Sequence, residues 1–104
     1  MIVTTTETVP DREITEVLDV VRGNTVRSRN LGRDITQALR SIVGGELKAF
    51  TTLLTVSRDE ALERMTEHAA DLDADAVVNV RFVTAQVTGG SAEMLAYGTA
   101  VRLD

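Results

Sequence analysis

Apolar and polar positions alternate along much of this chain, and the period of the alternation changes at a few recognisable points. Ile2 to Thr5 is a short β-rich run, ended by Pro10-Asp11, where a fixed φ and a missing N–H punctuate the chain. From Ile14 to Ser28 residues alternate, with Ile14, Leu18, Val20 and Val26 on one parity and Val17 and Val21 on the other. That pattern predicts a strand, with Gly23 at a bulge or bend. Asn30 is placed to cap a short helix carrying Ile35, Leu39 and Ile42 on one face, with Gly44 at its C-terminal cap. Gly44-Gly45 then permits a sharp change of direction. Beyond it, Leu47, Phe50, Leu54, Ala61, Met65 and Leu72 share one helical stripe, which predicts a helix of about 26 residues. Local rules also allow residues 47–56 as a strand, since Thr51, Thr52, Thr55 and Val56 are β-branched and Ser57 to Glu60 has capping-box spacing. The continuous helix is preferred because the stripe keeps its phase through Ser57.

Ala76 to Thr88 and Ala92 to Leu103 read as two long strands joined by a turn at Gly89-Gly90-Ser91. A helix and a hairpin of these lengths both come to about 40 Å, more than the diameter of a compact 100-residue domain, so an elongated subunit is expected. The last strand has no polar face: Leu95, Tyr97, Thr99, Val101 and Leu103 line one side, Ala92, Met94, Ala96, Gly98 and Ala100 the other. A strand apolar on both faces needs a cover on both, and with one helix layer available the second cover is expected from a neighbouring copy. The expected class is thus α+β: an antiparallel sheet packed on one long helix plus a short helix, in β-β-α-α-β-β order.

Composition narrows function mainly by exclusion. The 104 residues make one domain, 1–104, whose interior must be built of Val, Ala, Leu and Ile, since only 3% of the chain is aromatic. A net charge of −5 without any Lys/Arg cluster argues against nucleic acid as partner. No apolar run approaches the ~18–20 residues that span a bilayer, and no basic segment leads an apolar one at the N-terminus, so a soluble cytoplasmic protein with no membrane partner is expected. The absence of cysteine removes both disulfides and the usual soft-metal ligands.

Candidate chemistry is sparse. Asp71, Asp73 and Asp75 alternate and could present three carboxylates to a hard cation. They do not form a calcium loop, because the glycine and closing glutamate such a loop needs are replaced by Ala76 and Phe82. A solvated acidic helix terminus is the simpler reading. His68, the single imidazole, sits at the border of the helical stripe; it could join a metal site only if a ring of subunits brought copies together, and a hydrogen-bonded boundary histidine is the simpler reading. Thr4, Thr5 and Thr6 could line a ligand pocket or merely pack at a strand end. Arg33 and Arg58 lie near helix acids and read as surface pairs, and Tyr97 and Arg22 have no evident partner in the sequence. No nucleophile lies near His68, so catalysis is not expected.

Taken in order, Thr4-Thr5-Thr6, Val20-Val21-Arg22-Gly23, Arg33-Asp34-Ile35, Gly44-Gly45, Ser57-Arg58-Asp59-Glu60-Ala61, Ala74-Asp75-Ala76-Val77-Val78 and Gly98-Thr99-Ala100-Val101 resemble the YbjQ family of small prokaryotic proteins along nearly the full chain. The resemblance implies a dodecin-like subunit assembled into a homopentamer. It also implies an uncharacterised protein with a heavy-metal or small-ligand binding label, or alternatively a ring that presents surfaces to other proteins and has no ligand. A metal ion is the cofactor such a label would bring, without a ligand set that carries over to this chain. Asp73 and Asp75 stand where that family usually has Gly and Asn, and Asn79 replaces a small residue.

Overall fold

A computed structural model describes residues 1–27, 48–87 and 91–104 of the chain. Strands β1 (Ile2–Val3) and β2 (Ile14–Arg27) precede helix α1 (Lys48–Asp71), which is followed by β3 (Ala76–Val87) and β4 (Ser91–Leu103). The expected short helix over 30–43 lies outside the described residues, as do Gly89 and Gly90 of the expected turn, whereas Ser91, expected in that turn, is the first residue of β4. The strands flanking that turn pair as a hairpin, with Val87 opposite Ser91. From Lys48 onward the ambiguous segment is helical, because the stripe that continues into Ala61, Met65 and Ala69 buries all three of these residues completely.

One four-stranded sheet has the order β1-β3-β4-β2. It is mixed rather than wholly antiparallel: β1 runs parallel to β3, pairing Ile2 with Ala76 and Val3 with Val77. The reason lies between the first two strands. Pro10 and Asp11 occupy the centre of a turn closed by Arg12 N–H donating to the Val9 carbonyl at 3.2 Å. Asp11 takes the positive φ (63°) that such a turn needs after proline. The chain there passes from one edge of the sheet to the other. Alternation reports that a segment is a strand; it does not report direction or partner.

α1 lies over β2 and β4 and touches β3 least. Its seat is made of small residues. A Cβ at Gly23 would collide with backbone atoms of Ala61, Arg64 and Met65, so this glycine exists for close approach of the helix, and Gly23 pairs regularly with Ala96. The irregularities in β2 fall instead around Thr15 and Leu18, correcting the expected bulge at Gly23. Gly98 is similarly crowded: a Cβ there would stand 2.7 Å from Val77 Cγ1 and 2.9 Å from the Val78 carbonyl oxygen. Between sheet and helix, Val21, Val77, Val80, Met94, Ala96 and Ala100 pack on Ala61, Met65 and Ala69. Thr25, buried in the same layer, donates its hydroxyl to the Ser57 carbonyl.

The opposite face of the sheet is covered at one end only. Val9, 8% exposed, packs with Ala76, Val78, Val101, Leu103 and Ile14 in a second cluster. Part of the second cover expected from a neighbouring copy is therefore supplied by the chain's own N-terminal segment. This segment is tied down where Glu13 N–H donates to Asp104 Oδ1 at 2.9 Å and Arg12 Nε to the Asp104 carbonyl at 3.0 Å. Among the described residues nothing covers the remainder of that face, and the molecule is a slab of 53 × 28 × 17 Å. Its radius of gyration, 16.8 Å, exceeds the roughly 13 Å expected for a compact domain of this length.

Candidate binding surface on the open face of the sheet

Residues directly opposite in an antiparallel ladder project to the same side, so the register defines the rows of the open face. Arg22 and Arg81 both stand opposite Tyr97, forming an Arg–Tyr–Arg row across β2, β4 and β3. Toward the covered end the next row holds Val20, Thr99 and Val78; away from it Asn24, Leu95 and Val83 follow. Four valines of this face stay largely in solvent: Val17 at 66%, Val20 at 60%, Val26 at 57% and Val83 at 43% exposure. Single exposed apolar residues are ordinary; here four share one face with Leu95 and Tyr97, with Arg22 and Asn24 standing between Val20 and Val26.

Polar groups on this face are organised differently at its two edges. Arg81, an exposed residue, donates from Nη1 to the Thr5 carbonyl at 3.0 Å and to the Val80 carbonyl at 2.8 Å. On the β2 side Asn24 Nδ2 donates to Glu93 Oε2 at 3.0 Å, while the Arg22 side chain is exposed and has no partner among the described residues. Two arginines outside any basic cluster in the sequence become neighbours of one tyrosine only through strand pairing. The Arg81–Tyr97 pair follows from the register that sets Val87 opposite Ser91, and the expected turn at Gly89-Gly90-Ser91 locates it only to within two residues, since it would set Tyr97 opposite Val83. Arg22 cannot be located even so closely, because the pairing of β2 with β4 is non-local.

The threonines of the N-terminal segment bond mainly to one another and to backbone. Thr4 Oγ1 and Thr6 Oγ1 are 2.8 Å apart, Thr6 N–H donates to Thr4 Oγ1, and Thr6 Oγ1 donates to the Thr8 carbonyl at 2.7 Å. Their backbone wraps Asn79: Asn79 N–H donates to the Thr6 carbonyl and Val80 N–H to the Thr4 carbonyl. Asn79 has φ 56° and stands in a register shift of β3 between Val78 and Arg81. The shift turns Val80 onto the helix side and Arg81 onto the open face. Asparagine tolerates this left-handed conformation better than most residues with a Cβ.

The carboxylates Asp71, Asp73 and Asp75 do not come together. Asp73, φ 58°, lies two residues past the end of α1 in a C-terminal motif where Ala74 N–H donates to the Ala69 carbonyl and Asp73 N–H to the Ala70 carbonyl. Asp75 Oδ2 accepts the Leu103 N–H at 2.8 Å and its own N–H donates to the Val101 carbonyl, so it joins helix end to sheet. Asp71 is exposed on the last helical turn. His68 Nδ1 accepts the backbone N–H of Arg22 at 3.3 Å, and one turn earlier Arg64 Nη1 donates to the Asn24 carbonyl and pairs with Glu60. These contacts block the free edge of β2 against further strand addition. Arg58 donates to Thr55 Oγ1 within the helix, and Arg33 lies outside the described residues. Among the described residues no three His, Cys, Asp or Glu side chains converge as metal ligands, and no helix is long and apolar enough to cross a membrane.

A protein described as a UPF0145 protein of Halobacterium salinarum is 63% identical over 99 residues, covering 95% of each chain. A UPF0145 protein of Archaeoglobus fulgidus is 59% identical over 103 residues, 99% of this chain and 95% of that one. Among solved structures, a protein with unknown function of the DUF74 family from Pediococcus pentosaceus shares the fold, with a TM-score of 0.63 at 19% identity over 100% of this chain and 98% of that one. The model of the YbjQ family, described as "Putative heavy-metal-binding", matches residues 1–104. On full-length agreement with that model and with these relatives, the chain belongs to the YbjQ family.

Proposed function

We propose that this protein is a non-catalytic, cytoplasmic binding module of dodecin-like build that works as a homo-oligomer, a pentamer as the family resemblance implies, with its ligand seat where subunits meet. The observation that carries this reading is the open sheet face: exposed valines stand beside a half-buried Tyr97, and among the described residues only α1 makes a layer over the sheet, on its opposite side. A second copy supplies a layer on the open side at no cost in new chain.

The residues do not fit a soft heavy-metal ion. The chain has no thiolate and a single imidazole, whose Nδ1 is engaged by the Arg22 N–H, and the Asp75 carboxylate is engaged by the Leu103 N–H. The groups offered at the open face and its rim are hydroxyls, carbonyls and guanidiniums, which suit a small polar or anionic molecule. The absence of a converging ligand set among the described residues favours, as second reading, a ring that binds other proteins and has no small ligand.

Sedimentation velocity over a wide range of concentration, with elemental analysis of the same sample, tests this. A concentration-stable oligomer free of stoichiometric zinc, copper or nickel is the expected result. A folded monomer at every concentration overturns the self-assembly reading. A tightly held soft metal, with an unfolding temperature that falls on chelation, overturns the ligand class.

A further inference from the structure

The open face carries two arginines, and burying it against a purely apolar cover would leave their charges uncompensated. The matching charge is on the same chain. Along α1, Asp59, Glu63 and Glu67 recur at every fourth position and border a shallow depression of about 530 Å³ whose floor is Leu62, Thr66 and Ala70. None of the three carboxylates has a cationic partner among the described residues. Resting on the self-assembly reading above, we propose that this acidic flank of α1 docks on the open face of a second copy, with Arg22 and Arg81 gripping it from either side over Tyr97.

Dimensions agree with the proposal. Arg22 and Arg81 are separated by two strand spacings, about 10 Å, close to the 10–12 Å diameter of a helix with its side chains. The row is therefore a cradle of helix width, with Tyr97 and Leu95 as its floor, and each guanidinium can meet a carboxylate as its helix settles between them.

Two complementary patches on different sides of one subunit make a heterologous, head-to-tail contact; a single self-complementary patch would have made a dimer.

Charge exchange tests the pairing. One variant carries Arg22→Glu, a second Glu63→Arg with Glu67→Arg, and a third carries Arg22→Glu and Arg81→Glu together with Glu63→Arg and Glu67→Arg; Arg81→Gln provides a milder change on the same face, and circular dichroism verifies folding. In sedimentation, the first two are expected to dissociate at concentrations at least about 30-fold above the wild-type value, as loss of a buried interfacial charge pair does. The third should recover most of that loss, and Arg81→Gln should fall between. Unchanged assembly in both single-sided variants, with the wild type oligomeric, overturns this docking mode and leaves self-assembly standing. Failure of the third variant to recover overturns the pairing of these two surfaces. A monomeric wild type overturns both readings.

Discussion

His68 Nδ1, on the flank of the helix, accepts the backbone N–H of Arg22 on the unpaired edge of β2 at 3.3 Å. One helical turn earlier the Arg64 guanidinium donates to the Asn24 carbonyl. Two side chains of α1 thereby complete hydrogen bonds that a further strand would otherwise make, and they draw the helix over that edge. The lone histidine of the chain is a backbone acceptor, which requires its proton on Nε2.

Replacing that acceptor should cost stability. His68→Ala leaves the Arg22 N–H without its partner, and a loss of about 1 kcal/mol in urea unfolding is expected. The response of the melting temperature to added zinc should be the same in variant and wild type. A zinc-dependent stabilisation present in the wild type and lost in the variant would show a ligand role for this residue.

Gly23→Ala should be among the most damaging single-methyl changes in the chain. Its Cβ would meet main-chain atoms of Ala61, Arg64 and Met65, which cannot rotate away. A loss of about 1–3 kcal/mol or more is expected, read as a drop in the denaturation midpoint. Gly98→Ala meets mainly the Val77 and Val80 side chains and the Val78 carbonyl and should cost less.

The two left-handed Asx residues around the third strand invite the opposite change. Asp73→Gly and Asn79→Gly remove a Cβ from positions with φ 58° and 56°, and each should raise stability by roughly 0.5–1 kcal/mol. Asp73→Val, with a branched Cβ at the same φ, should lower it by at least as much.

Asp75→Ala should destabilise by about 1–3 kcal/mol, because the Leu103 N–H loses the carboxylate it donates to in a half-buried setting. Asp71→Ala, an exposed change, should stay within about 0.5 kcal/mol. Addition of calcium or magnesium should shift the melting temperatures of wild type and both variants equally. A shift abolished by either substitution would mean that these carboxylates bind a cation after all.

Periodicity carried a large share of the fold. The helix across Ser57 and the two long strands after Ala76 are local properties, visible as a spacing of 3.6 or 2 in the residues themselves. Asp73, too, could be located, since its place after the helical stripe is where a left-handed residue ends a helix. The errors share a different origin. Gly23 was read as a bend because a glycine in a strand is locally ambiguous, and its reason, the backbone of Ala61 and Met65 above it, comes from about forty residues away. The direction of β1 depends on the turn at Pro10-Asp11 carrying the chain across the sheet. The covering of Val101 and Leu103 depends on Val9 reaching them from the far end of the chain.

Two kinds of information are thus distinct in this protein. The strands after Ala76, the helical stripe from Ala61 to Leu72, the absence of thiolate chemistry and the lack of a polar side on β4 follow from the amino-acid order alone, since they rest on interactions within a few residues or on composition. That Arg22, Tyr97 and Arg81 form one row, that His68 serves the edge of β2 and that the carboxylates Asp71, Asp73 and Asp75 part company was decided only by tertiary pairing. Strand register and helix placement are set by the joint packing of distant small residues, and no local period encodes them.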